Sequence, residues 1–248
     1  NPNLNRSFDE SYILSDIEKA EIEGLHQMAL VASQHLNVEI GQGMNAGGWA
    51  GALFWERNTD PELTFETMLS VCDVMVVGGD VGGFDDLFGL SAIGRHRKSR
   101  VWLSWSWAWC VRDVLDLRKS IAPKLLELEA AGDLRITDTA AEHVADVVEI
   151  CCRIREAGLF PAEAAIGLDP HGVAALVDAL VEEGFVLGEG IVPIGQGYKL
   201  NGAIKGLERR LFDGRLKHGR QPLMTWCVGN AKAEQKGNNV YVTKESAG

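Results

Sequence analysis

Val71–Trp109 reads VCDVMVVGGDVGGFDDLFGLSAIGRHRKSRVWLSWSWAW, and its pattern decides the fold. Val71–Gly79 is a short, almost uninterrupted apolar run ending in glycines and Asp80, as a buried strand does. Phe88–Gly94 follows after a short Asp/Gly turn. Arg100–Trp109 then alternates Trp and Leu with Ser. Three strands at hairpin spacing predict an antiparallel meander.

Working outward, the apolar periodicity predicts helices over 111–131 and 138–157. A buried strand over Ala164–Leu168 ends at Asp169 and leads into a helix at Val173–Glu183. A strand at Phe185–Ile194, a helix at Leu200–Asp213 and a last strand at Asn239–Thr243 complete this half. On the other side, residues 7–36 carry helical spacing, and 37–62 are rich in glycine with Trp49 and Trp55 as anchors. We therefore expect a helical linker segment over 1–62 and one folded domain over 63–248. Antiparallel strands followed by alternating helices and strands predict an α/β fold, a mixed sheet with helices on both faces. That element order is the order of ribonuclease H-like folds.

Composition narrows the function. The 248 residues carry a net charge of −11, which excludes a surface coated with nucleic-acid-binding groups. Between Gly195 and Lys232, however, eight Lys or Arg face two acids, a local +6 that leaves −17 on the rest. A basic strip on an acidic body fits contact with a phosphate backbone along one face. The five cysteines (72, 110, 151, 152 and 227) make no C-x-x-C pair, and the six histidines form no H-E-x-x-H, so neither a zinc centre nor a disulfide framework is expected. No apolar run reaches the ~20 residues of a membrane span, and the first residues lack signal-peptide character. A soluble intracellular protein without a membrane partner is expected.

Two carboxylates stand where ligands gather in α/β sheets, at the carboxyl ends of strands: Asp80 in GGDVGGFDD and Asp169 in IGLDPHG. Both also suit plain turn carboxylates beside glycine. If their strands are neighbours, the two charges converge and favour a divalent cation between them. Magnesium or manganese fits such oxygen donors, and a pair of ions could cut a phosphodiester. Asp86 could orient a bound water or hold Asp169 in place; Asp85 is expected to face solvent. Lys199, Lys205, Arg209, Arg210 and Lys217 are the candidate DNA contacts, and a solvated helix face is the alternative for the same residues. The G-x-x-x-x-G-K-[ST] order of a phosphate loop is absent from the sequence.

Three stretches together resemble the C-terminal half of tailed-phage terminase large subunits. They are VVGGDVGGFDDLFGLSAIGR (76–95), AAIGLDPHGVAALVDAL (164–180) and the tail from Ile194 to Asn239. SQHLNVEIG (33–41) is similar to the segment joining motor to nuclease. The resemblance implies a ribonuclease H-like nuclease using two divalent metals (Mg2+ or Mn2+), with Asp80 and Asp169 as metal ligands and Asp86 as an auxiliary acid. It implies cleavage of double-stranded viral DNA during genome packaging in the host cytoplasm. The portal and the small terminase subunit would be partners through the full-length protein. A further Asp would follow Thr243–Gly248, so a third ligand is expected beyond Gly248, and the motor half is expected elsewhere. The D-x-G-G turn is also similar to the phosphate loop of actin-like ATPases and sugar kinases, which makes an ATP-binding domain one alternative. A non-catalytic DNA- or portal-docking module is the other.

Overall fold

The computed structural model describes residues 10–23, 48–83, 85–237 and 239–244. Most of the expected linker, and with it the end of the helix expected over 7–36, lies outside those residues. The first described element is helix α1 (Glu10–Glu23). The chain divides into two compact units, Arg57–Met224 and a second made of 1–56 with 225–248.

Arg57–Met224 is built on a mixed sheet. In chain order it holds β1 (Thr59–Asp60), α2 (Phe65–Val71), β2 (Cys72–Asp80), β3 (Phe88–His96), β4 (Trp102–Val111), α3 (Val114–Leu117), α4 (Ala122–Ala130), β5 (Arg135–Thr137), α5 (Ala140–Glu156), β6 (Ile166–Leu168), α6 (Ala174–Glu182), β7 (Ile191–Pro193), α7 (Asn201–Phe212) and β8 (Leu216–Gly219). The strands run in the order β1-β8-β4-β3-β2-β6-β7, with β5 also on β4. The β2–β3 and β3–β4 pairs are antiparallel; β6, β7, β8, β1 and β5 join in parallel. The expected meander is therefore present, and β6 adds to its first strand.

One face of this sheet carries the core. Met75 and Val77, Phe88, Leu90 and Ala92, Leu103 and Trp109, and Ile166 and Leu168 alternate inward along β2, β3, β4 and β6. Val147, Ile150, Cys151 and Ile154 cover them from one stripe of α5, and Leu176 and Leu180 from α6. Thr139 and Glu142 close a capping box on α5, which satisfies amide groups at its first turn. At the edge, the Phe65 ring meets Trp107 edge-on, 4.9 Å between centroids.

Several expected elements differ in extent. The 111–131 helix is two helices, because Pro123 has no N–H to give and its ring would strike the Lys119 carbonyl. The expected strand at 185–194 shrinks to β7, since Gly184 and Gly188 adopt positive φ and fold 185–190 into a turn. Strands β1, β5 and β8 were not anticipated.

The second unit contains an antiparallel hairpin, β9 (Ala231–Lys236) with β10 (Asn239–Lys244), and Gly48 makes one bridge to Lys232. Helix α8 (Pro222–Gly229) leads into it. Trp49 donates its backbone N–H to Ala231 O (2.9 Å), and Trp55 Nε1 donates to Thr225 Oγ1 (3.3 Å), so both tryptophans anchor the segment expected to be irregular. Among the described residues no helix is long and apolar enough to cross a membrane.

Candidate active site

Asp80 closes β2 and Asp169 follows β6. The two strands are parallel neighbours, with Val77, Gly78 and Gly79 opposite Ile166, Gly167 and Leu168. The ladder runs one step further, where Asp169 N–H donates to Gly79 O (3.2 Å). The aspartates are therefore the next pair in register, with backbones ~4.8 Å apart. A Cβ on Gly79 would lie 3.0 Å from Leu168 Cδ2 and 3.4 Å from Leu90 Cδ1, so that position faces the core. By alternation both aspartates leave the sheet on its other face.

Each carboxylate uses one oxygen to shape its own turn. Asp80 Oδ1 accepts from Gly82 N–H (3.1 Å), and Asp169 Oδ1 accepts from His171 N–H (2.9 Å). Among the described residues neither has a cationic partner. Asp73, at the opposite end of β2, shows what a structural acid looks like here: it accepts from Arg95 Nε (3.0 Å) and Nη2 (3.2 Å) and pairs with Arg100. The Arg95 hydrogen bonds hold its carboxyl below the usual range.

The surface around Asp80 is open. Gly89 stands opposite it on β3, and a Cβ on Gly89 or Gly78 would meet nothing within 4 Å. The turn after Asp80 needs glycine at 82, where φ is +65° and a Cβ would lie 2.5 Å from Leu87 O. Asp86 sits on the same turn, half-buried, its Oδ1 accepting from Leu87 N–H (2.8 Å). Asp85 is exposed and paired with Arg118 (2.8 Å). Among the described residues no group of three or more His, Cys, Asp or Glu stands close enough to hold a metal ion. Two acids are brought side by side, and Asp86 is not clustered with them.

The five basic candidates spread along a line rather than forming one patch. Lys199 lies in the 3-10 turn Gly197–Leu200 after β7, Lys205, Arg209 and Arg210 on α7, and Lys217 on β8. Strands β7 and β8 are five spacings apart, roughly 24 Å. Arg210 stacks on the Trp102 ring at 5.8 Å, Arg209 pairs with Asp213 (3.5 Å), and Lys217 Nζ donates to Asn58 Oδ1 (3.2 Å). Lys217 is thus tied into the fold. On α7 Leu211 is buried and Ile204 and Leu207 are half-buried, as is Leu200 just before the helix. A separate cavity of ≈ 390 Å³ opens at the edge of β4, between Trp105, Trp107, Asp133 and Glu149. It does not include the acid pair.

An antiparallel β4-β3-β2 meander extended by parallel β6 and β7 is the ribonuclease H-like arrangement, and that is the fold of this chain. No family model matches the sequence. The crystal structure of the HK97 bacteriophage large terminase is similar over 100% of this chain and 49% of that one, at a TM-score of 0.63 and 22% identity. Protein YmfN of Escherichia coli (strain K12) is 24% identical over 260 aligned residues, 98% of this chain and 53% of that protein. The large terminase nuclease from thermophilic phage G20c is similar at a TM-score of 0.48 and 11% identity, over 81% of this chain and 89% of that one. The chain spans about half the length of YmfN and of the HK97 terminase.

Proposed function

We propose that this chain is the nuclease part of a phage large terminase, a divalent-metal-dependent endonuclease that cuts double-stranded viral DNA during packaging. The observation that carries the reading is the pairing of Asp80 with Asp169 on adjacent parallel strands, on an open surface and without a cation. Each keeps an oxygen that its turn does not use. Hard oxygen donors of this kind suit Mg2+ or Mn2+, ions that retain several waters and need no full protein cage. When bound, two such ions supply a Lewis acid and a water acidic enough to attack phosphorus.

The chain's own residues do the rest. Asp80 and Asp169 would hold the ions, and Asp86, on the β2–β3 turn, would orient a water or brace the site. Lys199, Lys205, Arg209 and Arg210 would engage backbone phosphates, which position DNA without reading its sequence. The fold likeness to a large terminase favours this reading over an ATP-binding domain. Double-stranded DNA is then the substrate, the portal and small terminase subunit are partners of the longer protein, and the host cytoplasm is the place of action. Plasmid cleavage in Mn2+ tests the assignment: Asp80→Asn should abolish it, and a variant that cuts at the unaltered rate sinks the proposal.

A further inference from the structure

The ≈ 390 Å³ cavity opens at the edge of β4, between the stretch paired with β8 (102–104) and the stretch paired with β5 (109–111). Trp105 and Trp107 stand in register with Ala92 and Leu90, which face the core. Their indoles therefore lie on the α5 side of the sheet, opposite the face from which Asp80 and Asp169 emerge. Asp133 and Arg135 close the cavity from the segment after α4. Asp146 and Glu149 close it from α5, three residues apart and so on one side of the helix. The volume falls in the range of small-ligand sites.

Three carboxylates share this cavity with one guanidinium, a net −2. Arg135 is committed: it pairs with Asp146 and with Glu142 (3.5 Å), and Asp146 also accepts from Trp109 Nε1 (2.7 Å). Asp133 and Glu149 have no cationic partner among the described residues. Asp133 Oδ2 accepts from Leu223 N–H (2.8 Å), yet burial still pushes its carboxyl above the ordinary 3.8. Elsewhere α5 supplies a cation to the aromatic rings it meets, Arg153 over Phe65 at 5.0 Å and Arg155 over Phe185 at 4.4 Å. At Trp105 and Trp107 it offers Asp146 and Glu149 instead, so the matching cation has to come from outside.

We infer that this cavity receives an arginine side chain of a partner protein, its guanidinium held between the indoles and the carboxylates of Asp133 and Glu149. A guanidinium is planar and weakly hydrated, stacks on aromatic rings and forks onto carboxylates, so it fits both walls where a compact, strongly hydrated ammonium fits one. The same charges turn DNA away, since a phosphate would meet a net −2. A protein seated here leaves the face bearing Asp80 and Asp169 open, and the inference does not depend on the nuclease reading.

The test titrates the 248-residue chain, 15N-labelled, with a blocked Ala-Arg-Ala peptide at constant ionic strength and without metal. The seven indole N–H signals are assigned by single Trp→Phe changes. Those of Trp105 and Trp107 should move along one saturable curve, while those of Trp49, Trp55 and Trp102 stay in place. The lysine peptide should bind more weakly, and a citrulline peptide, of the same shape without the charge, should move nothing. Glu149→Gln and Asp133→Asn should each weaken the arginine peptide about tenfold. In Asp133→Asn the amide oxygen can still accept from Leu223 N–H, so without peptide this variant should unfold at an unchanged or higher temperature. Fixed indole signals, equal movement by the citrulline peptide, or unaltered affinity in both acid variants overturns the inference. Putrescine moving the same signals at lower concentration than the peptide makes the occupant a free diamine and overturns the protein source. None of these outcomes touches the nuclease reading.

Discussion

Asp80→Asn separates a metal ligand from a turn residue by stability alone, before any cleavage is measured. The turn role survives the change, because the amide oxygen of Asn can still accept the Gly82 N–H that Asp80 Oδ1 accepts at 3.1 Å. What is lost is a charge next to Asp169. Asp80 is exposed and Asp169 half-buried, and two charges ~5.5 Å apart in water repel by about 0.8 kcal/mol. The substitution should therefore leave stability in EDTA unchanged or raise it by up to that amount, a rise of at most about 3 °C in Tm for a domain of this size. Manganese reverses the order. An ion at a hundred times its Kd adds about 2.7 kcal/mol to the protein that binds it, so the unaltered chain should gain and the variant should gain far less. Thermal unfolding with EDTA and with a Mn2+ series reads both. Asp73→Asn is the control: it breaks the Arg95 and Arg100 contacts and should destabilise in either buffer. Equal Mn2+ stabilisation of the unaltered chain and Asp80→Asn places the ion elsewhere. A loss above about 1 kcal/mol in EDTA means that the carboxylate itself is structural.

Replacing Lys205 and Arg209 together with Ala should lower the magnitude of the log-affinity against log-salt slope for DNA by about two, while the Mn2+ midpoint from unfolding stays put; an unchanged slope makes them a solvated helix face. His143 is 5% exposed between Thr137 and the Phe88 ring, and burial pushes its pKa below the ordinary 6.5. The unfolded chain then takes up the proton first as pH falls below 6.5, so stability is full above that pH, declines beneath it and levels off once the folded histidine protonates. Urea midpoints from pH 7.5 to 5.5 should show the decline, and His143→Leu should lack it; parallel curves for the two proteins would refute the assignment. Burial raises the thiols of Cys72 and Cys110 to about 11 and that of Cys151 to about 12. A thiol-exchange reagent at pH 7.5 should therefore leave these three unmodified in the native protein and label them on unfolding; rapid labelling of any of them in the folded chain would contradict the packing.

The readable part of the fold was the part whose pattern is local. Val71–Trp109 alternates against one buried face, and the turn chemistry between its strands is written in glycine and aspartate, so β2, β3 and β4 were legible at nearly their observed bounds. Helix α5 announces itself by Thr139, Glu142 and a stripe from His143 to Ile154. Arg135–Thr137 and Leu216–Gly219 carry no such signal. They are strands because β4 is long enough to pair with both along the same edge, β8 against 102–104 and β5 against 109–111. The side chain of Gln221 fills the ladder between them, accepting from Ser106 N–H (3.0 Å) and donating to Ser106 O (2.6 Å). Pairing made by a distant partner leaves no trace in the segment that is paired.

The same distinction runs through the candidate site. Asp80 and Asp169 could each be picked out as strand-end acids, but their adjacency depends on β6 joining β2 at Val77–Gly79, a contact across some ninety residues. In the sequence the basic residues form one strip between Gly195 and Lys232. In the structure they run from the end of β7 to β8, and ~24 Å corresponds to about seven base pairs of duplex at 3.4 Å each. Proximity to the acids therefore differs from one cation to the next, and residues equal in the sequence become unequal on the sheet. Lys199 begins the line in the turn after β7, while Lys217 ends it with its ammonium donated to Asn58. If DNA follows the line, the bond opposite the acids lies near one end of the contacted stretch, and the duplex is held mainly on the side of β4 and β8.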